Sequence, residues 1–236
     1  MKKIIPHAIT SANLLCGCLA ITQIAEGNLI FASILVLLGA FFDFFDGLAA
    51  RALKVGSELG AQLDSLADMV TFGVVPAYLA FEWLNQLDYS ILNYSAFLIA
   101  IFSAIRLAKF NTDKRQSTYF IGVPTPANAL FWISIPLISW QVKSDIHFIP
   151  TDFMLPIFNS FSFIVTAILV FSYLLIAELP LLALKFKNLT WKDNQFRFLL
   201  IGISLVLFVL FLFAAIPFIL LLYLILSIIQ NNLQEK

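Results

Sequence analysis

Charge is scarce in this chain. Of its 236 residues, 12% are Asp, Glu, Lys or Arg against 61% hydrophobic, and basic and acidic residues balance at 14 each. Soluble domains carry about twice that charged share, so the composition excludes an ordinary soluble fold. Zero net charge gives no reason to expect nucleic acid or an acidic partner. Cysteine is scarcer still. Cys16 and Cys18 are the only two, on a predicted helix where neighbours two apart point in different directions, so packing is their expected role. Of the two histidines, His7 is expected at the surface and His147 in a loop on the wrong side for the chemistry below. Internal repeats, low-complexity tracts and long linkers are missing. No small-x-small cleavage site follows the first apolar stretch, which is expected to span a membrane and not to act as a signal peptide.

What fills the chain is apolar runs bounded by Pro, Gly and charge. They give eight candidate spanning helices, near residues 8–25, 28–53, 59–81, 90–110, 126–142, 153–175, 196–213 and 216–232. The last two are the least separable: only Pro217 offers a break, and one long kinked helix is the alternative, though about 37 residues is long for one crossing. The expected fold is an all-α integral membrane bundle in a single domain. With the N-terminus inside, Lys2, Lys3, Arg51, Lys54, Arg106, Lys109, Lys114, Arg115, Lys185, Lys187, Lys192, Arg197 and Lys236 share the cytoplasmic side, and only Lys143 lies outside. That partition predicts both termini in the cytoplasm. The connection 176–197 mixes Leu, Phe, Trp and Lys, which suits an anionic membrane surface.

Between two very apolar segments lies DFFDGLAARALKVGSELGAQLDSLAD, residues 43–68. At about 100° per helical residue, Asp43, Asp46, Gly47 and Ala50 share an arc of roughly 100° on the second helix, and Gly60, Asp64 and Asp68 one of roughly 80° on the third. The short polar link predicts that these helices are antiparallel neighbours with facing stripes. Four such carboxylates repel and are costly to desolvate, so something compensates. A pair of hard divalent cations does so, and two metals about 4 Å apart are a recurring device for displacement at phosphorus. The glycines allow close approach of a phosphorylated ligand, and Arg51 adds positive charge at the rim. The plainer alternative is that the aspartates pair with Arg51, Lys54 and Arg106, or sit in water at helix ends.

The order Asp43-x-x-Asp46-Gly47-x-x-Ala50-Arg51, then Gly60-x-x-x-Asp64-x-x-x-Asp68, resembles the signature of the CDP-alcohol phosphatidyltransferases. The resemblance implies that Asp43, Asp46 and Asp64 are metal ligands and that Asp68 completes the metal site and acts as general base. It implies a nucleotide and pyrophosphate platform of Gly47, Ala50, Arg51 and Gly60, two Mg or Mn ions, and a homodimer in a bacterial-type inner membrane with its site facing the cytoplasm. It also divides the bundle into a six-helix catalytic core, about residues 1–175, and an added pair, about 196–232.

Four further segments, TSANLLCG (10–17), SLADMVTFGVVPA (65–77), RLAKFN (106–111) and GVPTPA (122–127), resemble the branch that joins L-serine to CDP-diacylglycerol. On that reading Arg106 grips the serine carboxylate and Asn111 its amine or hydroxyl, with Lys109 and Thr125 as further acceptor contacts. Lys109 is equally explained as positive-inside anchoring, and Thr125 as a helix N-cap. Thr10 and Asn13 either face the nucleotide or bond a neighbouring helix. Pro6-His7 departs from the Pro-Asn that often opens the first helix of this family. Two rivals stay open: the same chemistry on glycerol 3-phosphate or inositol phosphate, and a cation transporter whose aspartates line an ion path.

Overall fold

Helix α1 (Ile4–Ala25) buries Pro6, Thr10, Asn13, Gly17, Ala20 and Ile24. This three-and-four spacing puts one narrow face against the bundle, polar at its start and apolar at its end. In this computed structural model, which describes residues 4–55, 57–112, 120–146, 148–182 and 190–234, that face is the spine of the site. Helix α2 (Leu29–Leu53) packs along it, as does α3 (Glu58–Asp68), while direct contact between α2 and α3 is sparse. The expected neighbours therefore face each other across a gap, with α1 alongside both.

Helix α3 does not stop at Asp68. A π-helical segment, Met69–Val74, carries it into α4 (Val75–Leu87), well past the predicted end. Thr71 on this segment donates to the Asn13 carbonyl at 3.1 Å. A Cβ on Gly17 would lie 2.5 Å from Thr71 Oγ1, and one on Gly39 would lie 2.7 Å from Thr71 Cγ2. Small residues let three backbones converge here, as in other membrane helix packings. The widened turn aims Thr71 into the crossing, the kind of local adjustment π-segments make near functional sites.

A 3-10 stretch (Ile91–Phe97) leads into α5 (Leu98–Thr112). Helix α6 (Thr125–Lys143) runs through the middle, with every residue from 131 to 138 buried. That position explains its polar content: Thr125, Asn128, Ser134 and Gln141 are buried among protein neighbours. The predicted sixth helix is two pieces, α7 (Met154–Phe158) and α8 (Phe161–Ile176), parted at Asn159 and Ser160. A two-residue antiparallel pair, β1 (Phe120–Ile121) with β2 (Pro180–Leu181), was not foreseen.

Helices α9 (Trp191–Phe211) and α10 (Ala215–Gln234) form a hairpin in which Leu200 and Leu226 share a small cluster with Leu182. The break comes at Leu212, whose φ is 51°, and not at Pro217, which sits in the first turn of α10 where proline is tolerated. Gln141 of α6 makes the turn affordable: its Nε2 donates to Phe211 O at 3.1 Å, and Phe213 N donates to its Oε1 at 2.9 Å. Both orphan backbone groups are satisfied by one side chain.

The chain is thus all-helical apart from that short strand pair, with a helix at each of the eight predicted segments. Five helical stretches are long and apolar enough to cross a membrane: Ile4–Ala25, Leu29–Leu53, Glu58–Leu87, Ile91–Thr112 and Asp193–Leu233, the last being the α9–α10 hairpin. They mark an integral membrane protein. Lys2, Lys3, Lys114, Arg115, His147, Lys185, Lys187 and Lys236 lie outside the described residues.

Candidate active site

The carboxylates of Asp43, Asp64 and Asp68 each offer an oxygen within 4.8 Å of the others. Asp43 comes from α2 about three turns before its end, Asp64 and Asp68 from successive turns of α3, so the predicted spacing does converge them. Asp46 stands apart from that trio. It is buried, and its Oδ2 accepts from Thr10 Oγ1 at 2.6 Å. Asn13, one turn further along α1, reaches Asp68 Oδ1 with its Nδ2 at 3.4 Å. Thr10 and Asn13 therefore do bond a neighbouring helix, and the groups they bond are the aspartates.

Among the described residues none of the four carboxylates forms a close ion pair with lysine or arginine; Arg106 acts on Asp68 only at longer electrostatic range. Three half-buried carboxylates converging without a close ion pair are a donor set of hard oxygens, and that suits a metal ion.

Beside the trio opens a cleft of about 210 Å³ lined by Thr10, Asp46, Gly47, Ala50, Gly60 and Asp64, with His7 and Ser57 at its edge. A Cβ on Gly47 would meet nothing within 4 Å, so this glycine faces open space. Arg51, one turn beyond, is exposed and outside the cleft wall. His7, expected at the surface, is partly exposed and lines the cleft, its Nε2 3.4 Å from Ser57 Oγ. Ser57 was missed, although a serine before Glu58 at a helix start is the usual N-cap pattern. Its Oγ accepts from Gly60 N at 3.1 Å, fixing the first turn of α3 and hence the platform glycine.

The four acceptor candidates sit in different surroundings. Arg106 is buried on α5, its guanidinium 5.4 Å from the Phe110 ring centroid, its Nε without a partner and its charge within electrostatic range of Asp68. Asn111 is exposed, its Nδ2 2.9 Å from Ser65 Oγ, which ties the end of α5 to the residue next to Asp64. Lys109 is exposed. Thr125 is fully buried at the first position of α6. Pro124 occupies the N-cap position, and the Thr125 hydroxyl has no partner, so the capping alternative fails.

Carboxylates converging from two helices beside a glycine-floored cleft form an acidic site in a membrane bundle, and the sequence comparison gives its class. Over residues 3–230 the chain matches the CDP-alcohol phosphatidyltransferase family, and it belongs to that family. Among relatives, it is 42% identical over 130 residues to the CDP-diacylglycerol–serine O-phosphatidyltransferase of Bacillus subtilis, covering 52% of this chain and 69% of that protein. It is 30% identical over 203 residues, 85% of this chain and 80% of the relative, to the Helicobacter pylori protein of that name. A Methanocaldococcus jannaschii namesake is 37% identical over 125 residues, 53% of this chain and 56% of the relative.

Proposed function

We propose that the chain transfers the phosphatidyl group of CDP-diacylglycerol to the hydroxyl of L-serine, giving phosphatidylserine and CMP. The observation that carries this reading is the convergence of Asp43, Asp64 and Asp68 beside the cleft floored by Gly47 and Gly60, in a chain whose relatives bear the name of that reaction.

Asp43, Asp46, Asp64 and Asp68 are the residues to hold two divalent cations, Mg or Mn. Bound there, such ions neutralise the diphosphate of the CDP-linked lipid and the charge developing on departing CMP. Asp68 takes the proton of the serine hydroxyl as that oxygen attacks phosphorus, and the bond from phosphorus to the CMP oxygen breaks in line. Asn13 and Thr10 fix the carboxylates of Asp68 and Asp46. Gly47, Ala50 and Gly60 give the nucleotide and pyrophosphate a floor without side-chain obstruction, and Arg51 supplies charge outside it.

Arg106 receives the serine carboxylate. The support is its burial, its unpartnered Nε and its position within range of Asp68. Asn111 contacts the serine amine or hydroxyl, Lys109 adds charge at the rim, and the unpartnered Thr125 hydroxyl is a fourth contact. The bundle crosses the membrane eight times, with both termini and the site on the cytoplasmic side of a bacterial-type inner membrane, and works as a homodimer.

The test is CMP release by purified protein in mixed micelles with CDP-diacylglycerol and Mg²⁺ or Mn²⁺, offering serine, glycerol 3-phosphate, inositol and inositol phosphate separately. Release with serine alone, abolished by chelator, is expected. Release with another acceptor keeps the aspartate chemistry and overturns the serine assignment.

A further inference from the structure

A second concavity, of about 430 Å³, opens at the opposite end of the bundle. It lies between the α1–α2 turn, the end of α4 and the end of α6. Gln86 in its wall is 18 positions beyond Asp68 along one continuous helical stretch, or about 27 Å at the helical rise. It is therefore separate from the catalytic cleft. Its size falls in the range of small-molecule sites, about 300–1,000 Å³.

The lining is graded with depth. Along α6, Lys143 gives way to Trp140 and Ser139 and, a turn deeper, to Pro136. Along α2, Asn28 gives way to Phe31 and then Ile34. Both walls run from hydrogen-bond donors at the helix ends to bare hydrocarbon towards the bilayer middle. Phe31 and Ile34 are exposed, so the deep end is open to acyl chains. The Trp83 indole is already committed, donating to Phe158 O at 2.9 Å, and so serves as wall. No acidic residue lines the concavity, and Lys143 forms no ion pair among the described residues. Lysine and tryptophan at a helix end are the usual groups that meet the headgroup level.

We infer that this groove binds one phospholipid of the leaflet remote from the aspartates, with an anionic headgroup on Lys143 and an acyl chain along Phe31, Ile34 and Pro136. A soluble anion would have no use for the apolar floor. A purely apolar partner would leave Lys143 facing nothing of opposite charge. A phospholipid with net negative charge matches both ends of the gradient.

The test is native mass spectrometry of the detergent-purified chain supplied with equal amounts of dioleoyl-phosphatidylglycerol and dioleoyl-phosphatidylcholine, each variant first shown by circular dichroism to keep its helix content. One retained phosphatidylglycerol is expected, favoured about fivefold, the preference a single lysine at a membrane surface supplies. Lys143→Gln brings the two lipids to parity. Ile34→Trp, which fills the floor, lowers retention of both, and Asp68→Asn leaves the preference unchanged. Parity in the parent, a preference that survives Lys143→Gln, or one lost in Asp68→Asn overturns the assignment.

Discussion

Thr10 holds Asp46 from across a helix interface: its Oγ1 is 2.6 Å from Oδ2, and both residues are buried. A hydrogen bond to a charged acceptor contributes about 1.5–3 kcal/mol. Thr10→Val should therefore lower kcat/KM for CMP release about ten- to hundredfold, and Thr10→Ser, which keeps the donor, should stay near the parent. A valine variant within twofold of the parent would show that Asp46 needs no such donor.

Asp68, the base in the proposed reaction, accepts from Asn13 Nδ2 at 3.4 Å. Asp68→Asn keeps the shape and removes the proton acceptor. Binding of the CDP-lipid should persist while turnover falls about 10²–10⁴-fold, the usual contribution of a positioned base. Single-turnover kinetics alongside filter binding separate the two, and turnover within a few fold of the parent would remove Asp68 from that role.

Asp43 and Asp64 converge from different helices within 4.8 Å. Replacing either by alanine should shift the Mg²⁺ or Mn²⁺ titration of activity to higher concentration and weaken CDP-lipid binding with it. Unchanged titration curves would reject them as ligands.

The close crossing at Thr71 makes a packing prediction. In Gly39→Ala the new methyl lies 2.7 Å from Thr71 Cγ2, an overpacking that costs about 1–3 kcal/mol. The melting temperature in detergent should drop about 2–4 °C for each kcal/mol in a chain of this size. Adding Thr71→Ser removes Cγ2 but keeps the hydroxyl on the Asn13 carbonyl, and should restore much of the loss. A double variant whose effects simply add would mean that the two residues do not share the strain.

Gln141→Leu should strand Phe211 O and Phe213 N, which the amide now satisfies, at up to about 1 kcal/mol for each of these part-buried groups. Hydrogen–deuterium exchange at residues 211–214 should accelerate while the π-segment stays protected. Equal protection in both proteins would show that water or lipid replaces the amide.

The sequence made the helices and the aspartates legible for different reasons. Long apolar runs with charge at their ends leave few alternatives to helices, and a spacing of three and four puts carboxylates on one face whatever surrounds them. What it did not reveal were features that depend on a partner far along the chain. The break at Leu212 could not be read because Gln141, which satisfies it, lies 71 positions earlier. Proline was the visible candidate, and at Pro217 it falls in a first turn that tolerates it. The π-segment has no composition of its own, and its effect appears only where Thr71 meets Gly17 and Gly39. His7 looked like a surface residue because nothing local shows that Ser57 comes to meet it.

Three side chains of α10 bind the segment beside β2: Tyr223 Oη donates to Leu182 O at 3.2 Å, Ser227 Oγ accepts from Leu182 N at 3.0 Å, and Asn231 Nδ2 donates to Pro180 O. β2 in turn pairs with β1, a few residues before Thr125. During synthesis the four aspartates of residues 43–68 are made well before α10, so the strand pair is clamped only after they are in place. Translation order thus places the clamping of that strand pair after the aspartates, and a nascent chain short of α10 has its aspartates but not these three contacts.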